Sequence, residues 1–470
     1  MPTISKNIFW SALTSALQLY TGSVIFIVLA KLMSVEDFGI LSFGFSLSAL
    51  VVIVADFGFS LMLLKDYPHY ESAPGHYIFN SIFAKVFLMA IASPIFFIYL
   101  WMFYNGDWVN VGALYILFSL AASIIIYLQA LLRAQNKFFK YTETNIVYAV
   151  LVTVVVIIYL QTSLSLVQLV AFLVLSKVLQ MIWTIYLCKS VFSDFSFNRR
   201  LIAKLLRKSW SFGLFSILGI FYFMVDTQII SLYLGAKDVA LYQSVFRIIF
   251  ILLVCTDVVS QVLLPYLSFK FYNNEDITEL VTKIFLYLLI VGCSLFLFLT
   301  TFKSQLLTFL YTPEYEDGVI LFLPFSLVVI LRTISSLLGN ILTISNRQAS
   351  RVITVGVSLA VSLVLNLILI PKYGILAAAW VSVLVHVILF GMYYVYCKKE
   401  IPAINLLRTS NGMLLLMVFV TYVIINYLSD SNLWIVLPCV ICWLLGVLVI
   451  MRRDNNFEFL QRILREKGVG

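Results

Sequence analysis

The stretch Val352-Ile-Thr-Val-Gly-Val-Ser-Leu-Ala-Val-Ser-Leu-Val-Leu-Asn-Leu-Ile-Leu-Ile370, then Pro371-Lys-Tyr-Gly374, then Ile375-Leu-Ala-Ala-Ala-Trp-Val-Ser-Val-Leu-Val-His-Val-Ile-Leu-Phe-Gly-Met-Tyr-Tyr-Val-Tyr396, is two apolar runs joined by a Pro/Gly turn. A helix that crosses a bilayer takes about 20 apolar residues. Each run therefore reads as one crossing, Pro and Gly make the tight turn, and the Ala triplet lets the returning helix pack closely. The same ruler finds twelve more runs: Ile8–Ala30, Ile40–Leu64, Ile78–Met102, Val111–Leu132, Thr144–Leu160, Leu166–Leu187, Trp210–Leu234, Leu241–Leu264, Ile284–Thr301, Val319–Thr343, Met413–Leu428 and Leu433–Met451. Of 470 residues, 62% are apolar and 11% charged, with mean hydropathy +1.04. A soluble chain carries about 25% charged residues. The fold class is an all-α polytopic membrane protein of about 14 transmembrane helices.

The composition also excludes chemistry. There is no G-x-x-x-x-G-K-[ST] loop and no G-x-G-x-x-G after a strand. Three histidines and six cysteines form no metal-ligand spacing. Cys439 and Cys442 have redox spacing but lie inside an apolar run and read as packing. No cofactor, metal or disulfide is expected. The net charge of +9 comes from cations spread over short loops, a pattern of membrane orientation and not of nucleic-acid binding. With the N-terminus inside, 23 of the 31 Lys and Arg fall on inner segments, 4 on outer ones (Lys31, Lys237, Lys303, Lys372), and 4 within spans. Both termini are then cytoplasmic. The first run is longer than a signal sequence and lacks a cleavage site, so it reads as a retained helix.

The longest internal connection, Cys188–Ser209, is basic and separates six spans from six. Residues 1–187 and 210–396 are thus expected as two six-helix bundles in parallel repeat, with the substrate path between them. Residues 397–451 add two helices, and the basic tail 452–470 suits anionic lipid headgroups. The halves share a register: Asp37 and Asp238 lie in equivalent first outer loops, and the same offset carries Asp56 onto Asp257. Pro265–Lys283 is expected to lie along the cytoplasmic face.

Asn7-Ile-Phe-Trp10, Leu32-Met-Ser-Val-Glu-Asp-Phe-Gly39, Ala55-Asp-Phe-Gly58 and Asn366-Leu-Ile-Leu-Ile-Pro-Lys-Tyr-Gly-Ile-Leu-Ala-Ala-Ala379 make the chain resemble the polysaccharide-transport branch of the multidrug/oligosaccharidyl-lipid/polysaccharide (MOP) exporter superfamily. Within it the likeness is to Wzx-type O-antigen flippases. It departs at Ala377, often Gly in that family, and at Val239-Ala240 in place of Phe-Gly. The resemblance implies flipping of a polyprenyl-pyrophosphate-linked oligosaccharide from the cytoplasmic to the periplasmic leaflet of a bacterial inner membrane. It implies alternating access driven by an ion gradient, for O-antigen or other surface polysaccharide. Implied partners are the lipid-linked oligosaccharide, membrane lipids and the polysaccharide polymerase machinery.

A charge at the bilayer centre costs about 2.5–3.5 kcal/mol on insertion scales, so each one calls for a reason. Arg332, Arg247, Lys177 and Lys85 are the cations within spans, and they suit a pyrophosphate group. Against that stands an internal ion pair, or a snorkelling lysine, above all for Lys85. Asp56, Asp257 and Asp226 are the membrane acids; desolvated carboxyls can take up and release a coupling proton. His386 is either a proton site or a neutral packing residue. Aromatics, 16% of the chain, are expected in interfacial belts. The alternatives are a lipid II flippase, a multidrug cation antiporter, and a membrane-embedded glycosyltransferase using Glu314, Glu316 or Asp317. The antiporter would favour an acidic or aromatic lumen, whereas the spans here hold at least as many cations as acids. The glycosyltransferase is set aside because those acids read as solvating an outer loop, so the chain is not expected to be an enzyme.

Overall fold

The computed structural model describes residues 2–70, 74–192, 196–273, 275–402, 404, 406, 408–428 and 433–453. The order of elements begins with α1 (Pro2–Leu19), which passes through one π-helical segment (Tyr20–Val24) into α2 (Ile25–Leu32). Then come α3 (Val35–Asp56), α4 (Phe59–Tyr70), α5 (Pro74–Phe103), α6 (Asp107–Ala134), α7 (Phe138–Gln161) and α8 (Leu166–Leu187). The second half holds α9 (Arg199–Tyr233), α10 (Ala236–Tyr272), α11 (Thr278–Thr301), α12 (Lys303–Leu310), α13 (Phe322–Ile344), α14 (Gln348–Glu400), α15 (Thr409–Leu428) and α16 (Leu433–Arg453). No strand occurs among the described residues. The all-α membrane fold class is as the hydropathy reads.

Eleven helices among the described residues are long and apolar enough to cross a membrane. Every run marked in the sequence falls on a helix, and the Pro371–Gly374 turn is where α14 breaks, with Gly374 at φ 68° and ψ −158°. Four expected features differ. The second run is not one helix, because Phe57 (φ 44°) and Gly58 (φ 75°) are left-handed and divide α3 from α4. The first run contains the π-segment. Helix α10 runs on to Tyr272, so little of Pro265–Lys283 is connection. Most of the basic connection after Cys188 is helical as well, since α9 starts at Arg199. The tail beyond Arg453 lies outside the described residues.

Contacts divide the chain into two compact units: Met1–Arg247 with Leu310–Asp317 and Ser362–Ala378, and Ile248–Phe309 with Gly318–Val361 and Ala379–Gly470. In the first unit α3 is the central element, packed on α5, α6 and α9. It is started by Ser34, whose side chain accepts from the Asp37 amide, with Glu36 and Asp37 in the positive first turn. It is buried nearly all round. Small residues allow this: a side chain on Gly44 would overlap the Tyr115 ring of α6. In the second unit α11 packs on α13 and α15, and α15 on α16. Trp443 of α16 donates to Ser294 Oγ of α11 at 3.1 Å. The outward faces are apolar; Trp101, Ile95, Val150, Ile182, Leu416 and Phe419 are all exposed, as expected where hydrocarbon is the solvent.

Candidate functional site

Where a chain is solvated by lipid, polar groups inside it mark function or fix structure. The charged side chains that the sequence places within spans form four such centres among the described residues of the first unit. At the α3–α4 break, the Asp56 carboxylate caps the new helix: Ser60 Oγ donates to Oδ1 at 2.5 Å and the Ser60 amide to Oδ2 at 3.4 Å. Lys85, reaching in from α5, donates to Asp56 Oδ1 and lies 5.3 Å from the Tyr127 ring centre. Lys85 is 1% and Asp56 3% exposed. The break itself is locked by α9, since any side chain on Gly58 would strike the backbone of Phe212 and Gly213. Two residues assigned separate roles from sequence, cation for substrate and acid for coupling, are thus partners. The internal ion pair weighed for Lys85 is the arrangement found.

Arg247 is different. Its Nη1 donates to the Gly22 carbonyl at 2.5 Å, inside the π-segment Tyr20–Val24. A π-turn shifts the backbone hydrogen-bond pattern and is frequent at functional sites. The guanidinium carbon lies 3.8 Å from the Phe26 ring centre, 5.4 Å from Phe45 and 6.0 Å from Phe38. The residue is buried, and Nε has no hydrogen-bond partner. No carboxylate pairs with it among the described residues. Beside it a strap formed by Leu310–Asp317, part of this unit, inserts two buried tyrosines. Tyr311 donates to the Ser244 carbonyl at 3.0 Å. Tyr315 donates to that of Ala30 at 3.5 Å. Their rings stand 6.4 and 5.9 Å from Phe38. Lys177 of α8 is also without a carboxylate among the described residues; its Nζ lies 3.9 Å from the Tyr148 ring centre and 5.2 Å from that of Phe118.

Asp226 of α9 forms the fourth centre. Its Oδ1 accepts from Asn366 Nδ2 at 2.6 Å and Ser362 Oγ at 3.4 Å, and its Oδ2 from the Tyr242 hydroxyl at 3.0 Å. The buried Asn366 Oδ1 has no donor. In the second unit Arg332 is half-buried on α13. His386 is buried on α14, its Nδ1–H donating to the Ser382 carbonyl at 2.7 Å. The side chain of Asp257 lies outside the described residues. Sequence reasoning missed Gly22, Tyr242, Ser362, Asn366, Tyr311 and Tyr315. Ser362 and Asn366 carried a signal, two polar residues one turn apart in an apolar run; the Gly22 carbonyl carried none.

Comparison with known proteins gives these arrangements a family. The chain is 26% identical over 224 residues to an uncharacterized membrane protein of Methanocaldococcus jannaschii, a match spanning 46% of this chain and 44% of that one. It is 21% identical over 452 residues to the protein named "Probable low-salt glycan biosynthesis flippase Agl15" of Haloferax volcanii, covering 93% of this chain and 94% of that one. Among solved structures it resembles the lipid II flippase MurJ in an inward closed conformation, with TM-score 0.72 and 14% identity, over 97% of this chain and 100% of that one. The profile of the polysaccharide biosynthesis protein family matches residues 4–271, more than half of the sequence, and the chain belongs to that family.

Proposed function

We propose that this protein is a flippase that carries a polyprenyl-pyrophosphate-linked oligosaccharide from the cytoplasmic to the periplasmic leaflet of a bacterial inner membrane, by ion-coupled alternating access. Both termini are cytoplasmic in this reading, and the spans before and after Cys188–Ser209 are its two repeated halves. Arg247 carries the proposal. A guanidinium buried with one carbonyl and three phenylalanine rings, and with no acid beside it among the described residues, is poised to gain from an entering anion. A pyrophosphate crossing low-dielectric surroundings needs such a cation, and Arg offers two parallel donors to phosphate oxygens. Lys177, likewise without a carboxylate among the described residues, is a second such cation in the same unit, and Arg332 is the cation offered by the second unit. Asp226, a buried carboxylate that accepts from Asn366, Ser362 and Tyr242 and lies next to the unsatisfied Asn366 oxygen, is the coupling group in this reading, with Asp257 as a second. The named functions of the glycan flippase relative and of the lipid II flippase with the same fold support the choice.

The test is a deletion strain complemented with wild type, Arg247→Gln or Arg247→Lys. Extracted lipids are examined by mass spectrometry for the polyprenyl-pyrophosphate oligosaccharide, with staining for surface polysaccharide. The deletion and the Gln variant are expected to accumulate the lipid-linked unit and lose surface glycan, and the Lys variant to restore part. Normal glycan without accumulation in the deletion strain would reject the reading in favour of cation export.

A further inference from the structure

The first eleven residues of α9 precede the Trp210 where the apolar run begins. Over 199–209 the helix has two unlike faces. Ile202 and Leu205 are buried in a cluster with Tyr67, Tyr127, Leu131 and Val191. At 100° per residue, Arg200, Lys204 and Arg207 fall within about 60° on the opposite face, flanked by Arg199 and Lys208, and all five are exposed. Lys208 is paired with Asp66 at 2.5 Å. Arg199, Arg200, Lys204 and Arg207 have no carboxylate partner among the described residues.

This basic face is pinned. Asn198 caps the helix, its Oδ1 accepting from the Arg200 and Leu201 amides at 3.0 and 3.1 Å. Asn80 of α5 accepts from the Asn198 amide at 2.8 Å and donates to the Ser196 carbonyl at 2.9 Å. The cations are also bracketed by exposed aromatics. Trp210 is 60% exposed at one end. At the other, Phe197 (56%) meets Phe83 (44%) edge to face at 4.8 Å. Tryptophan collects at the membrane interface, and exposed rings beside a cationic helix face mark a segment lying in it. Exposed aromatics at both ends of 199–209 are what a segment beside the membrane interface would carry.

We propose that this face of α9 is a docking surface for anionic phospholipid headgroups of the cytoplasmic leaflet. The sidedness rests on the orientation given under the proposed function; the binding does not depend on what the protein transports. A row of four cations with no carboxylate partner among the described residues is complementary to phosphate-bearing headgroups, and basic clusters on amphipathic helices gain affinity for them per cation. Bound anionic lipid would hold the start of α9 against the α3–α4 break, where Trp210 meets Phe57 at 5.6 Å between ring centres.

Full-length protein would be reconstituted in vesicles of phosphatidylglycerol and phosphatidylcholine, extracted gently, and weighed by native mass spectrometry for retained lipid. Wild type is expected to keep phosphatidylglycerol over phosphatidylcholine, less so as salt rises. Arg199→Gln/Arg200→Gln/Lys204→Gln/Arg207→Gln is expected to lose the preference, by roughly fivefold per cation removed. Arg199→Lys/Arg200→Lys/Arg207→Lys is expected to keep it, and serves as the folding control. No preference in wild type, an unchanged preference in the glutamine variant, or its loss in the lysine variant would overturn the proposal. None of these readouts needs transport, so a failed flippase reading would leave them intact.

Discussion

Replacing Lys85 by Met leaves the Asp56 carboxylate buried, with only the Ser60 hydroxyl at 2.5 Å and amide at 3.4 Å to stabilise it. Replacing Asp56 by Asn leaves the Lys85 ammonium at 1% exposure, facing an amide and the Tyr127 ring at 5.3 Å. Removing one partner of a buried ion pair costs about 3–5 kcal/mol, because the other charge stays buried and uncompensated. Each single variant is expected to lose that much. The double variant removes both charges. Asn at position 56 keeps an oxygen for Ser60, so the α4 cap, worth about 1 kcal/mol, largely survives. The expected loss in the double variant is therefore about 1–2 kcal/mol, and the coupling energy exceeds about 3 kcal/mol. Reversible unfolding in mixed lipid and detergent micelles, run on all four proteins of the cycle, measures it. If the single losses add to the double loss within about 0.5 kcal/mol, the two charges do not act on each other and the pairing argument fails. If the pair is a brace, the double variant also restores surface glycan better than either single variant does.

Arg332→Ala is expected to abolish surface glycan at normal protein level; wild-type glycan from a normally inserted variant would refute a role for Arg332 in transport. Asp226→Asn keeps the contact geometry with Asn366 and Tyr242 but removes the charge, and is expected to uncouple uptake into vesicles from the ion gradient; unchanged gradient dependence would move coupling elsewhere. Asp257→Asn is expected to show the same uncoupling, read in the same vesicle assay. Gly58→Ala combines a left-handed φ of 75° with a collision against α9, so a loss above about 2 kcal/mol in the micelle unfolding assay is expected; near-wild-type stability would mean the helix break is not fixed.

The membrane architecture was legible because hydropathy is a property of runs: the runs drawn from composition fall on helices, all but Ile40–Leu64 without a division between two, and the Pro371–Gly374 turn was readable from its two residue types. The α3–α4 break was harder, because its left-handed Phe57 is set by tertiary packing on Gly213 and has no local signature beyond one glycine. The same holds for the site. Intramembrane Lys and Asp can be listed from sequence, but partners on other helices are fixed only by packing. Lys85 and Asp56, 29 residues apart, neutralise each other, and Asp226 meets Asn366 across 140 residues.

Arg247 stands out for a related reason. Its acceptor is a backbone carbonyl exposed by a change in helical pitch at Gly22, which no side-chain pattern announces. Sequence reasoning names the costly groups in a bilayer, and the fold decides which are compensated. Lys85 has its carboxylate and Arg247 has none among the described residues, though the two cations are equally buried in lipid-solvated helices. An entering anion would have to compete with Asp56 for Lys85. At Arg247 it would displace no counter-charge found among the described residues, and that asymmetry makes Arg247, more than Lys85, the place to look for the substrate's pyrophosphate.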